Sequence, residues 1–317
     1  MNAMNPPGEQ ISDYARFDFE ALWPGREKVT QVEGAILAAA LRSGDRRRVL
    51  EVGTGFGRLL GVLTELAEEV VTTDFDLAGL SRLPPTGTDR NSLRVACNVY
   101  HLPFVGGSFS SASMIRVYHH LSEPVVALRE VARVLRPGGR LLISYNPKPS
   151  VGTLVNDIQR AIHPSPEAPF RSITFSAGRT SLDPDPFPVF VAGRRDFVQS
   201  TAAAGLNRGP EVVSGLEEYY FMRHIPAHWF VRIGTALGRA PAFPMRFALV
   251  TKPGADSASL PKLGEVLACP RCGTPHPDWG TADALECGHC PFVGRRHDAV
   301  LDLRYVPEGA TRWEAPT

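Results

Sequence analysis

The sequence predicts an α/β protein: a mostly parallel sheet with helices on both faces, followed by a small β-rich module built on four cysteines. Three observations predict it. Residues 49–57 read Val-Leu-Glu-Val-Gly-Thr-Gly-Phe-Gly, an apolar run with one acid entering a glycine-rich turn, and Arg58 to Ala67 continues at helical spacing. Glu69 to Asp76 repeats the plan, with β-branched residues running into acid before a helix near Leu77. The cysteines are uneven: Cys97 stands alone, while the other four lie in Cys269-Pro-Arg-Cys272 and Cys287-Gly-His-Cys290.

At 317 residues the chain holds one α/β domain of ordinary size plus a smaller module. Net charge is +1 with 21% charged residues, so no global field marks a nucleic-acid binder. The basic clusters Arg46-Arg47-Arg48, Arg194-Arg195 and Arg295-Arg296 are scattered and read as solvated loop charges. No apolar run reaches the length of a membrane span, and no basic start with an apolar core opens the chain, so a soluble cytoplasmic protein is expected.

The elements follow in order. Residues 1–12, with Pro6-Pro7-Gly8, read as a flexible tail, and Val29 to Leu41 as a helix preceded by Tyr14, Phe17, Trp23 and Arg26. The strand ending at Val52 delivers the chain to the carboxyl edge of a parallel sheet. Gly53, Gly55 and Gly57 then let the backbone turn tightly and approach a ligand with no Cβ in the way. The next helix leaves free N–H groups at that turn. Position 58 is Arg and the third glycine falls one residue early for the dinucleotide fingerprint Gly-x-Gly-x-x-Gly. The segment therefore favours S-adenosylmethionine (SAM), with NAD(P) or a plain tight turn as the alternatives. Asp74, some twenty residues on, suits ribose hydroxyls; its bland role as a helix cap is better filled by Asp76.

Then come Leu102-Pro-Phe, Gly107-Ser-Phe, and Arg133-Val-Leu-Arg-Pro-Gly-Gly before Leu141-Leu-Ile-Ser-Tyr. In this order the chain resembles class I SAM-dependent methyltransferases, in particular the subgroup that includes ubiquinone and menaquinone biosynthesis enzymes. The resemblance is strong over residues 45–148 and weaker to about 252. It implies a Rossmann-like, seven-stranded, mostly parallel sheet. It implies that Glu51 lies near the methionine amino group, with Gly53, Gly55 and Gly57 beside the methionine portion. Asp74 would take the ribose, Phe75 one side of the adenine, Asn98 and Val99 the adenine edge, and Arg116 and Val117 the neighbourhood of the sulfonium. The N-terminal aromatics would fold over the ligand, or else merely cover the sheet. Two departures stand out: Asn98 replaces an acid, and Ser110 follows Phe109 where an acid is usual.

Residues 146–193 are a proline-rich insertion with helical spacing over 152–162, long enough to be a lid or binding loop. Arg195 to Leu206 reads as helix with a C-terminal glycine, and residues 217–233 as an aromatic-rich stretch, where the resemblance implies a substrate wall. Phe243 to Thr251 is expected as the final antiparallel strand at the sheet edge, which would close a domain spanning 13–254.

The two Cys-x-x-Cys knuckles, fourteen residues apart, fit a tetrahedral site in which Cys269, Cys272, Cys287 and Cys290 hold structural Zn²⁺; disulfides are the alternative. His276, His289 and His297 read as bystanders. Residues 261–306 resemble small zinc-ribbon proteins, including the activator subunit that partners RNA and protein methyltransferases, and residues 307–317 read as a tail. In that family the ribbon adds a strand beside the methyltransferase sheet. Here it would stabilise the catalytic domain or shape the substrate entrance.

Methyl transfer to a carbon or weakly acidic oxygen needs a base, and Tyr118-His119-His120 follows the fourth strand, which makes His119 the candidate. The leading function is methylation of a small aromatic or lipid-like acceptor. Alternatives are an RNA or protein methyltransferase with a built-in activator, a non-catalytic SAM-binding interaction protein, and different chemistry on the same cofactor. Against the RNA or protein reading, Ile115-Arg-Val-Tyr stands where an amino-methylating motif would be.

Overall fold

A computed structural model describes residues 9–15, 18–85, 91–147, 190, 193–218, 224–240, 243, 245–255, 259–282 and 284–314. Strands β2 (Arg48–Val52), β3 (Glu69–Asp74) and β4 (Ser92–Ala96) step to one side, and β5 (Phe109–Met114) and β6 (Leu135–Tyr145) to the other, all parallel. The crossovers include helices α2 (Leu60–Leu66), α3 (Leu77–Arg82) and α4 (Pro124–Val134). The chain reverses its direction of travel across the sheet between β2 and β5, the switch point where open α/β sheets bind ligands at strand carboxyl ends.

Both faces of the sheet are covered. Helices α1 (Glu27–Arg42), α2 and α6 (Ala227–Ala236) pack one face through Val32, Ile36, Leu37, Leu63 and Phe230. On the other face lie α4 and α5 (Arg194–Ala203), through Leu128, Val131 and Phe197. Leu50 and Val71 point to one face and Val49 and Val70 to the other, the alternation that a strand buried on both sides requires. Among the described residues no helix is long and apolar enough to cross a membrane.

Two features differ from the expectation of seven strands. Among the described residues the sheet has ten, in the order β7 (Asn207–Ser214), β8 (Met245–Thr251), β6, β5, β2, β3, β4, β11 (Val300–Asp302), β10 (Val293–His297), β9 (Ala284–Glu286). The extra three, β9 (Ala284–Glu286), β10 (Val293–His297) and β11 (Val300–Asp302), come from the cysteine module, because β11 pairs parallel with β4 (Val300↔Arg94, Leu301↔Val95, Asp302↔Ala96). The strand expected at the edge, β8 (Met245–Thr251), is antiparallel as predicted but lies inside, between β6 and β7 (Asn207–Ser214).

The module is welded to the sheet. Leu263, Val266, Leu267, Trp279, Leu285, Leu301 and Leu303 share one apolar core with Phe104 and Phe109. Val105 N–H donates to Val266 O at 2.8 Å, and Ala268 N–H to Pro103 O at 2.9 Å. Arg48, expected among solvated charges, is 1% exposed; its guanidinium donates to Ser108 O and Pro261 O and pairs with Glu69.

At either end the sequence reads a tail, yet Gln10–Asp13 (β1) and Thr311–Glu314 (β12) pair as a two-stranded parallel ribbon. The proline-rich insertion, apart from residues 146, 147, 190 and 193, lies outside the described residues, as do Phe17 and residues 219–223 of the aromatic stretch.

Candidate functional site

The loop after β2 lies at the switch point. The N–H groups of Gly53 and Thr54 both donate to the Thr73 carbonyl, at 2.8 and 3.0 Å, fixing the turn against β3. Gly53 has φ +73°, and a Cβ there would lie 2.3 Å from Val117 Cγ2, so a side chain would strike the chain leaving β5. Gly55 has φ +56° and nothing within 4 Å of its would-be Cβ; its bare side faces open space. Gly57 completes the turn.

Asp74 closes the same loop from β3. Its Oδ2 accepts the Gly55 N–H at 2.8 Å and its Oδ1 the Asp76 N–H at 3.0 Å. Burial raises its pKa, opposed by these N–H groups. A carboxylate offers about four acceptor sites, so lone pairs remain for ligand hydroxyls. Asp76 is the N-cap of α3 by position, with no side-chain capping hydrogen bond.

A buried charge cluster flanks the glycines. Glu33, on the inner face of α1 and 0% exposed, accepts from Arg116 Nε and Nη2 at 2.9 and 2.8 Å, and lies 2.5 Å from Arg58 Nη2. The Trp23 ring covers both guanidinium groups, 4.7 Å from Arg58 and 5.2 Å from Arg116. So Trp23 lies over Arg58 and Arg116 and, at 5.8 Å, against Phe56. Beside them Glu51 is buried, and its pKa is pushed up to about 7, first by burial, with Thr54 and Arg58 pulling the other way. Glu51 Oε2 and Arg58 Nη1 are buried without a hydrogen-bond partner among the described residues. Such orphans are costly unless a ligand satisfies them. A buried acceptor at one end of the glycine turn and a buried donor at the other suit a zwitterion, ammonium to Glu51 and carboxylate to Arg58. The methionine end of SAM fits that pair, and the open side of Gly55 fits its approach.

From β5 the chain enters Arg116 at φ +61°, a left-handed conformation rare outside glycine, held by the Arg116 N–H donating to Ser144 Oγ at 2.7 Å. Val117 then packs on Gly53. The 3-10 turn Tyr118–His120 follows. His120 Nδ1 is 2.7 Å from the Tyr14 hydroxyl, the His119 and His120 ring centroids are 4.1 Å apart, and the His119 carbonyl accepts the Phe190 N–H.

The remaining sequence-predicted positions are engaged inside the protein. Asn98 is 2% exposed: Nδ2 donates to the Tyr305 carbonyl at 3.1 Å and Oδ1 accepts the Tyr100 N–H at 3.1 Å. Val99 packs against the core. Phe75 has the guanidinium carbons of Arg304 and Arg312 at 5.5 and 5.4 Å from its ring centroid. Ser110, in the place of an acid, accepts the Arg48 N–H and donates to the Arg48 carbonyl, satisfying that strand by itself.

The sequence reading missed Glu33, the buried Arg58 guanidinium, and the Tyr14–His120 pair. The one available signal was an acid between Val32 and Ile36 on an otherwise apolar helix face.

In the module, the Sγ atoms of Cys269, Cys272, Cys287 and Cys290 all lie within 4.8 Å of one another. Cys269 and Cys290 are 3.5 Å apart and Cys272 and Cys287 3.6 Å. A Zn–S bond of ~2.3 Å in a tetrahedron sets S···S edges of about 3.8 Å, so the thiol set fits such an ion. The Gly273 N–H donates to the Cys269 carbonyl, and the Cys269 N–H to the Thr274 carbonyl, forming the first knuckle. His276 Nε2 lies 3.3 Å from Cys287 Sγ, outside the thiol set and stacked on Trp279.

Comparison with known proteins agrees with this geometry. Residues 50–143 match the methyltransferase domain family. Demethylmenaquinone methyltransferase of Mycobacterium tuberculosis is 33% identical over 105 residues, covering 33% of this chain and 43% of that protein. The ubiquinone/menaquinone biosynthesis C-methyltransferase of Photorhabdus laumondii is 32% identical over 120 residues, covering 36% and 48%. The chain thus spans under half the length of these curated relatives. A putative SAM-dependent methyltransferase from Listeria monocytogenes overlays with TM-score 0.50 at 10% identity, covering 72% of this chain and 99% of that one, which shows a shared fold.

Proposed function

We propose that this chain is a SAM-dependent methyltransferase acting on a small aromatic or lipid-like acceptor. The observation that carries the reading is the buried pair of opposite orphans, Glu51 Oε2 and Arg58 Nη1, at the switch point beside an open glycine turn. In this reading Glu51 accepts from the methionine ammonium and Arg58 donates to its carboxylate. Gly53, Gly55 and Gly57 leave room for the chain between them. Asp74 accepts the ribose hydroxyls, Phe75 lies against the adenine, and Asn98 and Val99 belong to the adenine end. Arg116 and Val117 border the methyl group.

SAM supplies an activated methyl on sulfur, so the protein's task is to hold the acceptor in line and exclude water. The strained Arg116 turn and the Trp23 cover serve that task. His119 takes the proton from an acceptor that must lose one. The small-acceptor reading draws on the relatives named for quinone substrates, and on a net charge of +1 that offers no polyanion an attractive field. The four thiolates hold Zn²⁺ as a closed structural site without a role in the chemistry.

Calorimetric titration with SAM and S-adenosylhomocysteine tests the reading. Micromolar binding of both is expected, lost in Asp74→Ala. His119→Ala is expected to bind both normally and to lose turnover with whichever acceptor the native chain methylates. No binding to the native chain would overturn the function.

A further inference from the structure

We infer that the segment Leu303–Glu314, delivered by the cysteine module, forms the adenosine-side wall of the cofactor site. The inference rests on the SAM reading above and adds to it a part of the chain far from the glycine loop.

The path of the chain comes first. Because β11 runs parallel to β4, the chain leaves β11 at the carboxyl end of the sheet, on the side of the cofactor loops. The Leu303 N–H donates to the Ala96 carbonyl at 2.9 Å, extending the pairing by one step. Tyr305 then presents its carbonyl to Asn98 Nδ2. That contact explains why position 98 is an amide. A carbonyl needs a donor, and an ionised carboxylate there has none to give. Its Oδ1 is already taken by the Tyr100 N–H, which fixes the amide so that Nδ2 faces the Tyr305 carbonyl.

The second observation is the grip on Phe75. Arg304, held by Asp302 through Nε at 2.8 Å and Nη2 at 2.7 Å, and Arg312, paired with Asp13, both approach the Phe75 ring. Asp13 is 4% exposed, so Arg312 is tied to a buried anchor. Purine bases stack on aromatic rings and on guanidinium planes alike. Phe75, Arg304 and Arg312 supply both surfaces next to Asp74, the group assigned to the ribose.

The third observation is that the wall is fastened at its far end. β12 pairs with β1, and β1 is tied to the loop before α4 by the Gln10 N–H donating to Ser122 Oγ at 2.9 Å. The ring of Trp313 lies 5.6 Å from that of Tyr14, the partner of His120. A strap of two strands thus passes from β4 to the turn after β5, across the carboxyl edge.

The test compares S-adenosylhomocysteine with 5′-methylthioadenosine, which lacks the amino-acid end, on the full metal-loaded chain. Asn98→Asp and the double variant Arg304→Ala/Arg312→Ala are each expected to weaken both ligands by about tenfold or more, by the same factor, since both ligands carry the adenosine. Variants that bind like the native chain would overturn the wall while leaving the cofactor reading intact. Tighter binding by Asn98→Asp would overturn it too, because it would mean that position 98 meets the adenine directly. A native chain that binds neither ligand would instead remove the cofactor reading. Hydrogen exchange on the unmutated protein gives an independent measure. Adding S-adenosylhomocysteine is expected to slow exchange in residues 10–13 and 303–314 together with the glycine loop, and slowing confined to the glycine loop would overturn the wall.

Discussion

At Glu51 burial and electrostatics pull in opposite directions, and burial wins: the carboxyl is pushed up from 4.5 to about 7. The folded chain therefore holds a proton that the unfolded chain releases between those two values. Glu51 adds stability below that window and loses it as pH rises through it. The groups facing it are Thr54 and Arg58, which lower the pKa, and Asp74, which raises it. A bound ammonium favours the ionised form. Affinity for S-adenosylhomocysteine is accordingly expected to rise with pH up to about 7, by at most roughly tenfold per unit, and then to level off. Calorimetry across that range checks it: Glu51→Gln should flatten the curve, and a flat curve in the native chain would refute the assignment. Arg58 has its own test. Losing a hydrogen bond to a charged group costs about 1.5–3 kcal/mol, so Arg58→Gln should weaken S-adenosylhomocysteine roughly 10- to 100-fold. It should spare 5′-methylthioadenosine, which has no carboxylate; equal losses would point to a damaged fold. Of this cluster the sequence made Glu51 legible through its place before the glycines. Glu33 was hidden because its partners Arg58 and Arg116 come from two other segments.

Among the elements, β11 does more than extend the sheet. It covers the edge of β4, which would otherwise offer unpaired N–H and C=O groups. Its module's apolar residues belong to the same core as Phe104 and Phe109. On the proposed Zn²⁺ reading, removing the metal is expected to lower the melting temperature of the whole chain in a single transition, by about 10 °C or more. Scanning calorimetry with and without chelator checks this; two separated transitions would show that the module melts alone. The parallel strands and their helices were legible because each carries its own periodicity. β8 was legible as a strand and antiparallel, but not as an interior one, since nothing local records that β7 lies outside it. The Asn98 amide looked like a weakened ligand contact until Tyr305, some 200 positions later, supplied its partner.

For the molecule as a whole, the sheet and glycine loop were readable from local pattern, and the cysteine spacing announced the convergence of four thiols. What could not be read was how the two parts join, because the contacts that join them are long-range: Arg48 with Pro261, Asn98 with Tyr305, Asp13 with Arg312. The longest of them sets the order in which the protein can be finished. Gln10 pairs with Thr311, so β1 must wait for some 300 further residues to be made. At ~5–20 residues per second that is about 15–60 s of synthesis. During that interval β2, β3 and the glycine loop can already be in place while Arg312, which approaches Phe75, is still missing. On the wall inferred above, the adenosine side of the cofactor site closes only after translation has run through to β12.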